Sequence, residues 1–384
     1  MLCSCVAKLR GRLWAAVAFG IALCAVSSGA EPRPARDVLS PEQWRRLDAA
    51  VDHGLEYLST QQRPDGSFQA PDQGQPGITS LCVLAFLSRG HVPAQGPYGD
   101  QLSRAIEYVL DTGQENGLLF DLPVAEVWRK GTPTHAAIYN HGIAGLMLGE
   151  VYGMTDEPAR TRIAAAITSA IEFTRQTQLR PKRNRLDQGA WRYLGRLSGG
   201  LRSDADLSVT VWQLMFLRSA RNAEFRVPAE YIDEAMEYVR GAYRPSQHDF
   251  TYCRIPPGNR TSRAMTGSGI LSLSLAGEHQ SEMARSAGAW ILRNGFERYG
   301  EVYYYDERYL YSVYYCSPAM FQLGGEYWSR FFPPLQRVLL EHQQDDGSWP
   351  RELPKDGQFG NCYSTALVVL SLTPPYQLLP IYQR

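Results

Sequence analysis

The chain has no excess of either charge: 39 Lys plus Arg stand against 39 Asp plus Glu in 384 residues. That balance argues against nucleic acid as a partner, because such proteins carry a basic face. Cysteine is scarce, at seven, and no two lie in a C-x-x-C spacing, so a zinc knuckle does not fit. No long Ser/Gly or Pro run marks a linker, although the length would allow two or three domains. Neither a Cys-Gly-Glu-Gln nor a Cys-His-Gly segment occurs. Apolar residues still make up 44% of the chain, enough for one large core.

The first thirty residues read as a leader. Lys8, Arg10 and Arg12 precede an apolar run, Leu13 to Val26, that is too short for a comfortable membrane span. Ser28-Gly29-Ala30 supplies small residues for cleavage before Glu31. The expectation is a signal peptide over 1–30, a single domain over 31–384 and export to a periplasmic or extracellular location. An uncleaved anchor is the alternative. Cys24 follows the bulky Leu23, which disfavours a lipoprotein. Cleavage moves the net charge from 0 to −3 and leaves Cys82, Cys253, Cys316 and Cys362. Cys82, Cys316 and Cys362 fall in apolar helical runs, where a free thiol acts as a small hydrophobe. Buried thiols are expected over disulfides.

One phrase occurs twice. Gln62-Arg63-Pro64-Asp65-Gly66-Ser67-Phe68 and Gln343-Gln344-Asp345-Asp346-Gly347-Ser348-Trp349 share the pattern Q-x-x-D-G-S-aromatic. Weaker echoes stand at Asn116-Gly117-Leu118-Leu119 and Gln188-Gly189-Ala190-Trp191. Such self-similarity marks an array of helical pairs. Amphipathic helices are predicted at 42–61, 100–110, 161–176, 229–240, 281–293 and 334–343, with Pro228 and Pro334 at first-turn positions that tolerate a missing N–H. Between them lie segments apolar or small nearly all round, at 79–87, 142–148, 208–220, 266–276, 312–323 and 364–372. A helix without a charged face is buried on most sides. Six outer and six inner helices fit an all-α closed ring, an (α/α)6 toroid, better than an open solenoid, since no polar capping repeat is evident.

The phrase Q-x-x-D-G-S-W, followed by Thr365-Ala366 and Leu370-Ser371-Leu372, resembles the repeat of squalene cyclases and protein prenyltransferase β subunits. The resemblance covers nearly all of residues 31–384 and implies an α/α toroid. It is specific for the fold and weak on activity, because one toroid hosts unrelated functions.

In such a ring the inner helices run parallel and their N-termini share one mouth, where free N–H groups favour anions or polar groups. Thr79, Tyr139-Asn140-His141, Asp204, Asp206, Arg263, Thr266, Tyr314 and Cys362-Tyr363 stand at these ends. Helix capping is the plain alternative for the Thr and Asp residues. Asp204-Ala205-Asp206-Leu207 is similar to the D-x-D-D motif of squalene–hopene-type cyclases. The resemblance implies Asp206 as proton donor and Asp204 as the first acid, but Leu207 replaces the third. The candidate catalytic residues are Asp206, Asp204 and His141. Candidate ligand contacts are Tyr139, Arg263, Tyr314, Tyr315 and Tyr363. Tyr314 and Tyr315 belong to a tyrosine-rich stretch that includes Tyr303, Tyr304, Tyr305, Tyr309 and Tyr311 and suits either ligand binding or packing.

Prenyltransferase zinc ligands map onto Arg308, Leu310 and the neighbourhood of Cys362, so no metal and no cofactor is expected. Arg180, Lys182, Arg183, Arg185, Arg192, Arg196 and Arg202 make a cationic stretch. Its default reading is a solvated surface loop, and a membrane surface or a protein is the alternative partner. Two functions follow. One is a terpenoid-cyclase-like enzyme acting on an isoprenoid or another apolar lipid. The other is a non-catalytic lipid- or protein-binding toroid outside the cytoplasm. A toroidal glycosidase needs two opposed carboxylates, and Asp204 and Asp206 are too close in sequence to be that pair.

Overall fold

The computed structural model describes residues 37–120, 135–194, 203–303, 307–352 and 357–383. The leader over 1–30 lies outside them, as do Arg196, Arg202, Tyr304 and Tyr305. Twelve α-helices occur among the described residues. In chain order they are α1 Pro41–Thr60, α2 Gly77–Leu87, α3 Gly99–Asp111, α4 His135–Val151, α5 Ala159–Gln178 and α6 Leu207–Asn222, then α7 Ala229–Gly241, α8 Arg263–Leu275, α9 Glu282–Arg293, α10 Tyr309–Leu323, α11 Gly325–Glu341 and α12 Gly360–Leu372. Even-numbered helices pack each on the next, and α12 returns to α2, so the inner ring is closed. Odd-numbered helices lie outside them. The fold is the (α/α)6 toroid that the alternating pattern implies.

Burial follows composition. Every residue of α2 is buried, whereas α1 buries only Leu47, Ala50, Val51, Gly54, Leu55 and Leu58, one face at helical spacing. Ser40 starts α1 with a capping box: its side chain accepts from the Gln43 N–H, and Gln43 Oε1 accepts from the Ser40 N–H. Inner helices approach closely where side chains vanish. A Cβ at Gly142, Gly145 or Gly149 of α4 would press on Gln213, Phe216 or Ser219 of α6. Both series ascend, so α4 and α6 run parallel. At one end of the ring the Gly77 N–H donates to Asn140 Oδ1 at 2.7 Å. At the other, Ser219 donates to Glu150 at 2.6 Å.

The repeated phrase is the joint of the ring. In the first copy Gln62 Nε2 donates to the Gly66 and Gln101 carbonyls, Asp65 accepts from the Ser67 N–H, and the Phe68 N–H donates to Thr79 Oγ1 at 2.9 Å. The last copy repeats each bond: Gln343 Nε2 to Gly347 and Ala50, Asp346 from Ser348, and the Trp349 N–H to Thr365 Oγ1 at 3.0 Å. Gly66 (φ 92°) and Gly347 (φ 87°) hold a left-handed backbone, and a Cβ there would strike the carbonyl of Arg104 or His53 on the next outer helix. The final joint therefore grips α1 and closes the ring.

Two boundaries differ from expectation. The last outer helix starts at Gly325, not Pro334, so Pro333 and Pro334 lie inside α11. An internal proline costs about 3 kcal/mol. Trp328, Phe331 and Phe332, all buried, carry the helix through, since burial of each contributes about 2 kcal/mol. Helix α4 begins at His135, one turn and more before Gly142. Cys82, Cys253, Cys316 and Cys362 are buried and free, as the apolar context predicts.

Candidate functional site at the mouth of the inner ring

The site is built from two joints. In the turn after α5, Trp191 is locked by its indole N–H on the Thr174 carbonyl at 2.8 Å and its backbone N–H on Thr210. That anchor places Arg192 and Tyr193 at the mouth. In the next joint Phe250, facing Thr266, places Tyr252 and Cys253 beside them. The Tyr252 carbonyl accepts from the Leu207 N–H at 2.8 Å, which ties this turn to the start of α6.

Asp206 caps α6. Its Oδ1 accepts from the Val209 N–H at 2.8 Å, and its side chain is fully buried. Oδ2 has no hydrogen-bond partner and lies 3.6 Å from Arg192 Nη1. Burial pushes the carboxyl up to about 6, against the pull of Arg192, the Val209 N–H and Tyr252. Arg192 stacks under the rings of Tyr193 and Tyr252, at 4.9 and 5.5 Å. The hydroxyls of those two tyrosines bond each other. His135 stands edge-on to Tyr193 at 3.9 Å, its pKa lowered by burial and by Arg192.

Below this layer, side chains bridge the ring. Tyr139 OH donates to Ser208 at 2.9 Å, and Ser208 pairs with Tyr311 OH at 2.8 Å. The Trp212 indole N–H donates to Tyr311 OH at 3.0 Å, and the Trp212 ring stacks on Tyr314 at 5.3 Å. Since α6 and α10 are separated by α8, these contacts cross the lumen. At the far end Tyr382 OH meets Tyr314 OH, Gln322 Nε2 donates to the Tyr382 carbonyl, and the Ile381 N–H donates to Glu150. Residues 380–382 thus span from α4 to α10 and cap that end. The lumen is filled along this path, and the mouth is where half-buried rings remain: Tyr139, Tyr193, Tyr252 and Tyr311.

The residues singled out from sequence separate into groups. Asp206 and Tyr139 belong to the mouth. Tyr314 and Tyr315 lie buried in the lumen beneath it. Tyr363 is half-buried, its ring 5.3 Å from Phe359. Asp204 turns away from Asp206 and pairs with Arg183 at 2.7 Å. Burial raises its pKa less than the Arg183 bonds lower it. Arg263 is fully buried, paired with Glu307 at 2.8 Å and bonded to the Gly295 and Glu301 carbonyls, between α8 and the chain entering α10.

His141 takes the place that Thr79, Thr210, Thr266 and Thr365 hold in other joints. Its Nδ1 accepts from the Leu119 N–H at 3.2 Å and its Nε2 faces Thr174 at 2.9 Å, between the Phe173 and Phe216 rings. Burial lowers it to about 3, so it is neutral. Arg192, Tyr193 and Tyr252 were missed as mouth residues, and so was Tyr238 of α7, buried behind them against Ala190 and Ala205. A signal existed: Tyr193 and Tyr252 each stand two residues after the aromatic of their joint. No group of His, Cys, Asp or Glu among the described residues could hold a metal ion.

No family model matches the chain, and no curated protein matches it in sequence. Solved structures do. A variant of the type II terpene cyclase MstE from Scytonema, in complex with its substrate geranylgeranyl dihydroxybenzoate, is 16% identical, with 89% of this chain and 100% of that chain covered and a TM-score of 0.56. The GH76A α-1,6-mannanase from Salegentibacter sp. HEL1_6 is 11% identical over 86% and 99% of the two chains, with a TM-score of 0.57. A protein from Actinoplanes is 16% identical over 85% and 98%, with a TM-score of 0.50. At these identities the likeness establishes the toroid, which serves both a terpene cyclase and a mannanase.

Proposed function

We propose that the domain over 31–384 is an exported toroid that binds an isoprenoid or another apolar lipid at the N-terminal mouth of its inner ring. The supporting observation is the set of half-buried rings Tyr139, Tyr193, Tyr252 and Tyr311 around the buried Asp206. Aromatic walls with a few placed polar groups suit an apolar ligand. Binding without turnover is favoured over cyclisation. A cyclase must enclose the whole folding polyene, and here Ser208, Trp212, Tyr311 and Tyr314 occupy that space. A strong acid is also missing: Asp204 is engaged by Arg183, and burial weakens Asp206 as an acid.

A second reading, terpenoid-cyclase-like protonation by Asp206, is favoured by one observation: a buried carboxyl oxygen without a hydrogen bond, among aromatic rings that would stabilise a carbocation. Incubation with squalene and gas chromatography–mass spectrometry separates the two. Bound, unchanged squalene supports the binder. A cyclised product that disappears in Asp206→Asn supports the enzyme. Neither binding nor product removes both readings.

A further inference from the structure

Seven buried side-chain polar atoms lack a hydrogen-bond partner among the described residues, and four of them belong to three neighbouring residues: Arg192 Nε and Nη2, Asp206 Oδ2 and Tyr238 OH. Arg192 and Asp206 form a charge pair at 3.6 Å, and Tyr238 lies within electrostatic reach of both. Such atoms are rare in folded proteins, and each left unpaired costs about 1–3 kcal/mol. They are also well buried: the Arg192 side chain is 7% exposed, Asp206 0% and Tyr238 0%. Tyr238 comes from the outer helix α7, Arg192 from the joint before α6 and Asp206 from its cap. Three separate elements therefore bring buried polar atoms without hydrogen bonds into one neighbourhood. Arg192 spends one nitrogen, Nη1, on the Ala205 carbonyl and Cys253 Sγ. Its Nε and Nη2, with three N–H groups between them, make no hydrogen bond.

The chemistry of the set is mixed. Arg192 offers donors, the Asp206 carboxylate an acceptor, and Tyr238 OH either. One positive and one negative charge leave the site neutral, which disfavours a net anion or cation. A group that accepts from the guanidinium and donates to the carboxylate satisfies all three residues. Hydroxyl and primary amide groups have that character. The half-buried rings of Tyr193 and Tyr252 lie over the guanidinium on the side of the mouth, and their hydroxyls bond each other.

We propose that Arg192, Asp206 and Tyr238 form a subsite for a neutral hydroxyl or amide head group on the mouth ligand. This rests on the lipid-binding reading above and adds the part of the ligand that is selected. The measurement is equilibrium binding, by intrinsic tryptophan fluorescence, of farnesol, its methyl ether and the hydrocarbon farnesene. Farnesol should bind at least about 10-fold tighter than the other two, since the ether cannot donate to Asp206 and the hydrocarbon pairs with nothing.

In Asp206→Asn farnesol should lose most of its advantage over the ether. Arg192→Lys, which keeps the charge but not the fork, should cost farnesol several-fold and leave farnesene unchanged. Tyr238→Phe removes one unpaired atom, keeps the ring in place and should weaken farnesol alone. Equal binding of farnesol and farnesene overturns the subsite and leaves the lipid reading standing. Preference untouched by all three substitutions also overturns it, and means that internal water satisfies these atoms. No binding of any probe removes both proposals.

Discussion

A buried carboxyl from each end of the inner ring, Glu150 and Asp206, makes the comparison that separates scaffold from candidate site. Glu150, at the C-terminal end of α4, is raised to about 7 by burial. Asp206, at the N-terminal end of α6, is raised to about 6 by the same cause. Glu150 has both oxygens occupied, one by Ser219 and one by the Ile381 N–H. Asp206 leaves one open, beside an arginine that also has open donors. Equal burial with unequal satisfaction is the physical distinction. One carboxyl fastens residues 380–382 to α4, and the other keeps an oxygen without a hydrogen bond beside Arg192.

The largest test of that contrast removes what Glu150 holds. Ending the chain at Gln377 deletes Leu379, Ile381 and Tyr382, each 5% exposed or less. At roughly 2 kcal/mol per buried side chain the loss is about 6 kcal/mol, read from urea denaturation. A small change would mean that the far end needs no cap.

Next in size is His141, which lies at the mouth end but is assigned to the scaffold. Its folded pKa, about 3, is below its unfolded value of 6.5. The unfolded chain then binds more protons, so stability is present above pH 6.5 and is lost as pH falls toward 3, by roughly 5 kcal/mol in all. His141→Asn keeps an acceptor for Leu119 and should flatten that part of the pH–stability curve. A curve unchanged in the variant would return His141 to the list of candidates.

Asp206 has the opposite sign. Its folded pKa exceeds the unfolded 3.8, so stability is fully present below pH 4 and falls by about 3 kcal/mol as pH rises through 6. Asp206→Asn should be relatively more stable than the parent at pH 8 than at pH 4. If the pH dependence is the same in both proteins, the carboxyl is not held as the structure implies. Asp204→Asn should be the smallest effect, under about 1 kcal/mol, because its pair with Arg183 is partly solvated. Calorimetry at pH 7 would show it.

The toroid was legible because it is written in periodicity. Helices with one apolar stripe alternate with helices that are apolar all round, and the Gln, Gly and aromatic positions of the joint are visible in two copies. The far-end cap was not legible: Pro380, Ile381 and Tyr382 carry no periodic signal, and their burial depends on reaching two opposite helices. The site was half legible. Asp206 stood out as an acid at the start of an inner helix. Arg192 read as one charge in a cationic loop, although the Trp191 anchor turns it inward while Arg183 stays outside. His141 misled because its joint uses a ring nitrogen where its counterparts use a threonine hydroxyl, a substitution visible only once the joints are superposed.

The seam of the ring bears on where a chain of this kind can start and stop. The contact of Gln343 and Gly347 with α1 has the same parts as that of Gln62 and Gly66 with α3, yet it joins residues nearly 300 positions apart, as the Gln343–Ala50 bond shows. During synthesis that last clasp waits for the ribosome to release the final repeat. For the same reason a circular permutant of the ring, with α1 linked to the segment after α12 and a cut made in another joint, would ask the chain for no new kind of contact.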